Sequence, residues 1–131
     1  MDADAFQQLF DGFNATNETL VCFCDCTVDY SGRAESHLPR GDRILIFKAD
    51  NTLLIHQPTN NEPINYMKAG TTFTVDHDDD LVIHANHTGL KEYMDITIHT
   101  IYDTMRGTLS DGQALEIVGT EEDMSDMIKE Q

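Results

Sequence analysis

Positive charge is scarce in this 131-residue chain. Eight Lys and Arg stand against 24 Asp and Glu, a formal net charge of −16. That excludes a protein that coats nucleic acid through a general basic surface, and it excludes binding to an anionic membrane by charge alone. No run of 18 apolar residues occurs, so no transmembrane helix is expected. Residues 1–10 are acidic and lack the basic start of a secretory leader, and a cytoplasmic location is expected. Cysteine is limited to three residues. An odd number cannot all pair, which suits a reducing compartment better than a disulfide scaffold. The length allows one domain with a modest core and is too short for two full domains.

Catalytic signatures are missing as well. The sequence has no G-x-S-x-G, no P-loop and no G-x-G-x-x-G. A metal-dependent nuclease needs Lys two residues after Asp or Glu. Here the residues two before Lys48, Lys68, Lys91 and Lys129 are Ile46, Tyr66, Gly89 and Met127. Cys22, Cys24 and Cys26 would share one face of a strand with about 7 Å between neighbours. A tetrahedral metal needs its sulfurs within about 2.3 Å of the ion, so these read as small buried hydrophobes. His84 and His87 would face opposite ways on a strand and make no metal pair. No catalytic residue, metal or cofactor is expected in this chain.

What is there is a succession of short strands. Phe6, Leu9, Phe10 and Phe13 recur at helical spacing and predict a short amphipathic helix over 3–12. Residues 20–30 alternate, with Leu20, Cys22, Cys24, Cys26, Val28 and Tyr30 on one face, the pattern of a half-buried strand. Ser31-Gly32-Arg33 turns the chain, 34–38 is a short second strand, and Pro39-Arg40-Gly41-Asp42 closes it. Residues 43–48 form a buried strand with a basic residue at each end, Asp50-Asn51 is a hairpin turn, and 53–56 returns. Further strands are expected at 71–75, 81–86 and 93–102. Thr120 followed by Glu121, Glu122 and Asp123 reads as a helix N-cap, with Met124, Met127 and Ile128 as its stripe. The fold class is mainly β: a β-sandwich or half-closed β-barrel with short helices at both termini. The expected divisions are a lead-in over 1–18, a β domain over 19–118 and the start of a linker helix over 119–131.

The charge is uneven. Residues 20–75 hold five basic and six acidic groups, while the other 75 residues hold three and eighteen. An acidic coat with few lysines suits molar salt, where the Debye length is about 3 Å and self-repulsion is screened. It also suits a docking surface for a basic partner. Most of the arginine lies in the nearly neutral segment, beside Asn65-Tyr66. A ring that stacks on an unpaired base, an amide that reads its edge and a guanidinium on phosphate would seat a nucleotide there. The bland alternative is that Tyr66 and Met67 plug the end of the barrel and the arginines are surface groups.

Four motifs in order carry a resemblance. Residues 26–38 (CTVDYSGRAESHL), 41–48 (GDRILIFK), 54–57 (LIHQ) and 62–66 (EPINY) resemble the N-terminal domain of the NucS/EndoMS family, archaeal and actinobacterial endonucleases acting on mismatched and branched DNA. The match covers about residues 20–70, and residues 119–123 resemble the stretch that leads to the family's nuclease domain. The resemblance implies a dimerising, mostly β, DNA-binding domain of a DNA repair endonuclease, here from a salt-loving archaeon. Single-stranded, branched or mismatched DNA would be the partner, and a sliding clamp a further candidate. It maps the family's Asn-Trp pair onto Asn65 and Tyr66, its Gly-Arg onto Gly32-Arg33, and its Gly-Asp-Arg onto Gly41-Asp42-Arg43. Arg33, Arg43, Asn65 and Tyr66 are thereby the candidate DNA-binding residues. Tyr66 stands where the family has Trp, and Asn61 where a basic residue is common. The divalent metal and its Asp and Glu-x-Lys ligands belong to the nuclease domain, which is absent from this chain. A protein-interaction module that kept the fold and lost DNA binding is the alternative function.

Overall fold

The computed structural model describes residues 1–119. The expected C-terminal helix from Thr120 lies outside the described residues. Helix α1 (Ala3–Asn14) is followed by seven strands: β1 (Thr19–Ser31), β2 (Glu35–Phe47), β3 (Leu53–His56), β4 (Asn65–Met67), β5 (Thr72–Asp76), β6 (Leu81–His87) and β7 (Glu92–Gly107). All pair antiparallel in a single sheet of order β4-β3-β2-β1-β7-β6-β5.

That order forces the sheet to curl. Its two outermost strands, β4 and β5, are consecutive in sequence and joined by residues 68–71. Such a link spans at most about 17 Å, whereas the edges of a flat seven-stranded sheet lie about 29 Å apart. The strands therefore roll into the half-closed barrel expected from the sequence. The seam is pinned by His87 at the end of β6, whose Nε2 lies 3.0 Å from the Ala69 carbonyl.

Three β-bulges keep apolar residues inward over this long curve. Along β1 the inner row is Leu20, Cys22, Cys24, Cys26 and Val28, all fully buried, with Tyr30 closing the row half-buried. On β7 the inner row runs 92, 94, 96, 98 and then jumps to 101 and 104. Register shifts leave His99 and Tyr102 as extra residues opposite β1. Each bulge resets the alternation and adds bend. The third bulge corrects the sequence reading. Residues 34–38 and 43–48 are not two strands, because β2 runs through Pro39-Arg40-Gly41-Asp42 without a break. Cys26 pairs Gly41 and Val28 pairs Leu38, so Pro39 and Arg40 together face Thr27. A bulge tolerates a residue without an N–H, and the far side of β2 is unpaired there because β3 covers only Ile44–Phe47.

Helix α1 fills the open side of the roll. Asp2 caps it, its Oδ1 accepting from the Ala5 amide at 2.8 Å. Phe6, Phe10 and Phe13 point inward and form one aromatic cluster with Phe47 and Phe73, centred on Phe10, with neighbouring ring centroids 5.2–6.1 Å apart. Asn14 Nδ2 donates to the Phe73 carbonyl at 2.9 Å, and Arg106 Nη1 to the Leu9 carbonyl at 3.1 Å. None of the described helices is long and apolar enough to cross a membrane.

Candidate nucleic-acid interface

The curl brings the β1–β2 turn against edge strand β4. Arg33 follows Gly32 in that turn, and its side chain is 69% exposed. Its Nη2 lies 3.4 Å from the Tyr66 hydroxyl, 33 residues further on. Tyr66 is 40% exposed; it points outward from β4 while Met67 points into the core, as alternate strand residues must. Asn65 shares the inner parity of Met67 and is half-buried at the start of the strand. Ile64 N donates to the Ile55 carbonyl at 2.8 Å, which seats the strand after the polar loop.

Two groups the sequence reading missed complete the cluster. The carboxylate of Glu92, at the start of β7, is only 6% exposed. It accepts a 2.5 Å hydrogen bond from the Tyr30 hydroxyl, and its Oε2 lies 3.5 Å from Arg33 Nε. The turn is moulded on this pair. A Cβ on Gly32 would fall 2.5 Å from Tyr30 Oη and 3.0 Å from Glu92 Cγ, so only glycine fits. Tyr30 was readable as the last member of an alternating strand. Glu92 carries no local signal, since its partner is 62 residues away. Hydrogen bonding with the Tyr66 hydroxyl, then with that of Tyr30, pushes the Arg33 guanidinium above its already high ordinary pKa, so it is a permanent cation.

Arg43 is not brought to this cluster. It shares the inward parity of Leu45 and Phe47, is 7% exposed, and its Nη1 donates to the Cys26 carbonyl at 2.5 Å. It serves the interior beside the β2 bulge, where Gly41 leaves it room. The three cysteines lie free and buried on one face, as expected. Among the described residues no three His, Cys, Asp or Glu side chains are placed to hold a metal ion. A cleft of about 450 Å³ beside the turn is lined by Asp29, Glu35, His37, Tyr93 and Asp95 among others. Its three carboxylates would repel phosphate, whereas Arg33 sets a cation beside the exposed ring of Tyr66.

Residues 16–113 match the profile of the family described as endonuclease NucS N-terminal PH-like domain. This chain belongs to the NucS family, as its N-terminal domain. The endonuclease NucS 2 of Halobacterium salinarum is 36% identical over 105 residues, which are 79% of this chain and 42% of that protein. The endonuclease NucS of Pyrococcus furiosus is 31% identical over 125 residues, 95% of this chain and 46% of that protein. A solved EndoMS–dsDNA complex superposes with a TM-score of 0.83 at 27% identity, covering 98% of this chain and 54% of that one. A repair endonuclease from Pyrococcus abyssi gives 0.69 at 28%, covering 99% and 54%. This NucS-family chain thus spans about half the length of the relatives it matches.

Proposed function

We propose that this chain is the DNA-binding and dimerisation domain of a NucS/EndoMS-like DNA repair endonuclease, with no catalysis of its own. It recognises single-stranded, branched or mismatched DNA through an unpaired base stacked on Tyr66, with Arg33 on an adjoining phosphate, while Asn65, on the opposite face of β4, pairs Ile55 and holds the strand that carries the ring. One observation carries this reading: a half-exposed ring and a largely exposed guanidinium, distant in sequence, meet at one end of an otherwise acidic molecule. Cations and aromatic faces are what a splayed nucleotide needs. Kinship with a protein solved in complex with double-stranded DNA points the same way. The acidic remainder suits work at molar salt, where it neither repels DNA at long range nor strains the fold.

The test is a fluorescence-anisotropy titration of a labelled fork or mismatch duplex between 0.3 and 1 M KCl, a range over which the Debye length falls from below its physiological value of about 8 Å to about 3 Å. Tyr66→Ala is expected to lose the stacking contribution of about 1–3 kcal/mol, or about 5- to 150-fold in affinity. Arg33→Ala is expected to weaken binding alike for all base sequences and to reduce the salt slope by about one phosphate contact. Wild-type affinity in the Tyr66 variant sinks the stacking role, and a base-selective loss in the Arg33 variant sinks the phosphate role. Dimerisation is supported by an apolar strip on the outer face, where Phe23 and Met105 are 48% and 76% exposed.

A further inference from the structure

The cluster at Arg33 holds a feature that stacking and phosphate contact do not explain. A carboxylate is buried directly behind the cation that is to meet a phosphate. Burying a charge is costly unless it is paired and hydrogen-bonded, and its presence beside an anion-binding group lowers affinity by plain electrostatics. We infer that Glu92 is a positioning residue of the nucleic-acid site: its carboxylate, braced by the Tyr30 hydroxyl, holds the Arg33 guanidinium by Nε and leaves the Nη edge beside Tyr66 free for a phosphate. This inference rests on the DNA-binding reading above.

The geometry supports each part. The Tyr30–Glu92 bond is 2.5 Å, the range of a charge-assisted O–H···O⁻ bond. It fixes Glu92 Oε2 to a rigid strand, since Tyr30 pairs Met94 across the β1–β7 ladder. The same hydroxyl accepts from the Arg33 backbone amide at 3.4 Å. Backbone and side chain of Arg33 are thus both referred to one point. Nε lies 3.5 Å from Glu92 Oε2 and Nη2 lies 3.4 Å from the Tyr66 hydroxyl. These are long contacts that steer rather than lock. The planar fork of an arginine has two faces of donors. With Nε turned inward to Glu92, the Nη end of this largely exposed side chain is left for a phosphate, beside the Tyr66 hydroxyl that Nη2 approaches. Gly32 keeps the turn close enough for this, because any side chain there strikes Tyr30 and Glu92.

A double-mutant cycle read by anisotropy, together with the Nε–Hε resonance of Arg33 in the DNA-free protein, tests the inference. Glu92→Gln and Tyr30→Phe, each checked for unchanged melting, are expected to weaken binding of the fork about two- to tenfold in the wild-type background and not at all in Arg33→Ala. Each is also expected to shift the Arg33 Nε–Hε resonance, which senses the carboxylate beside it. Tighter or unchanged binding by Glu92→Gln overturns the inference, because removing a negative charge without a loss of aim favours the phosphate. An equal loss in the Arg33→Ala background overturns it too, as does an Nε–Hε signal indifferent to Glu92. Wild-type binding by Arg33→Ala removes the phosphate role given to Arg33 and this inference together, and wild-type binding by both Arg33→Ala and Tyr66→Ala removes the DNA reading. A failure confined to the Glu92 and Tyr30 arms removes the inference alone.

Discussion

Arg43→Met separates a residue that holds the fold from one that holds DNA. Arg43 is 7% exposed and gives the Cys26 carbonyl a 2.5 Å hydrogen bond where the bulge at Pro39 and Arg40 interrupts the ladder. Methionine keeps much of the buried stem and removes the charge. What is lost is a hydrogen bond to a charged donor, about 1.5–3 kcal/mol. For a domain of this size that lowers the melting temperature by roughly 6–12 °C. Urea unfolding should show a reduced midpoint with an unchanged slope, since the surface exposed on unfolding stays the same. Binding of a fork oligonucleotide, measured well below the melting point, should match wild type within about twofold, well under the tenfold that 1.4 kcal/mol would give. If Arg43→Met instead weakens binding as Arg33→Ala does while melting is unchanged, the side chain reaches the nucleic acid and its interior role is wrong.

Two further outcomes follow from the core. Phe10→Ala removes the ring that touches Phe6, Phe13, Phe47 and Phe73 and should cost about 3–5 kcal/mol in urea unfolding; a loss within about 0.5 kcal/mol, the scale of an ordinary surface change, would mean that α1 is not docked in the roll. Cys22, Cys24 and Cys26 have no exposed surface. Bonds from Cys22 and Cys26, together with burial, push the Cys24 thiol far above its ordinary pKa. Ellman's reagent should find no fast-reacting thiol at pH 8 in the folded protein and three in denaturant; a fast native thiol contradicts the placement of this row.

Much of the fold is legible because half-buried strands advertise their inner face. The alternation from Leu20 to Tyr30, the Phe6-Phe10-Phe13 stripe and the Asp50-Asn51 turn are local signals. Asn51 takes the left-handed conformation such a turn requires (φ 66°). Pro39 and Gly41 misled because a proline reads as a stop, and only the pairing with β1 reveals a bulge. The inward course of Arg43 was within reach, since it shares the parity of Leu45 and Phe47. Period-two counting gives more here than the basic character of the residue. The meeting of Arg33 with Tyr66 was not readable from spacing. It depends on how far the sheet rolls, which follows from a strand order that joins its two edges. Motif resemblance grouped the same residues without that geometry, and it placed Arg43 with them although the structure does not.

The strand order has a mechanical side. β1 and β7, the first and last strands, are neighbours at the centre of the sheet, with Thr19 opposite Gly107. Force applied to the chain on either side of this pair therefore loads the ladder from one end, rung by rung, like a zip. The bonds do not share the load as they would if the strands were sheared lengthwise. A tether pulling on these two points should part the domain at low tension through its middle.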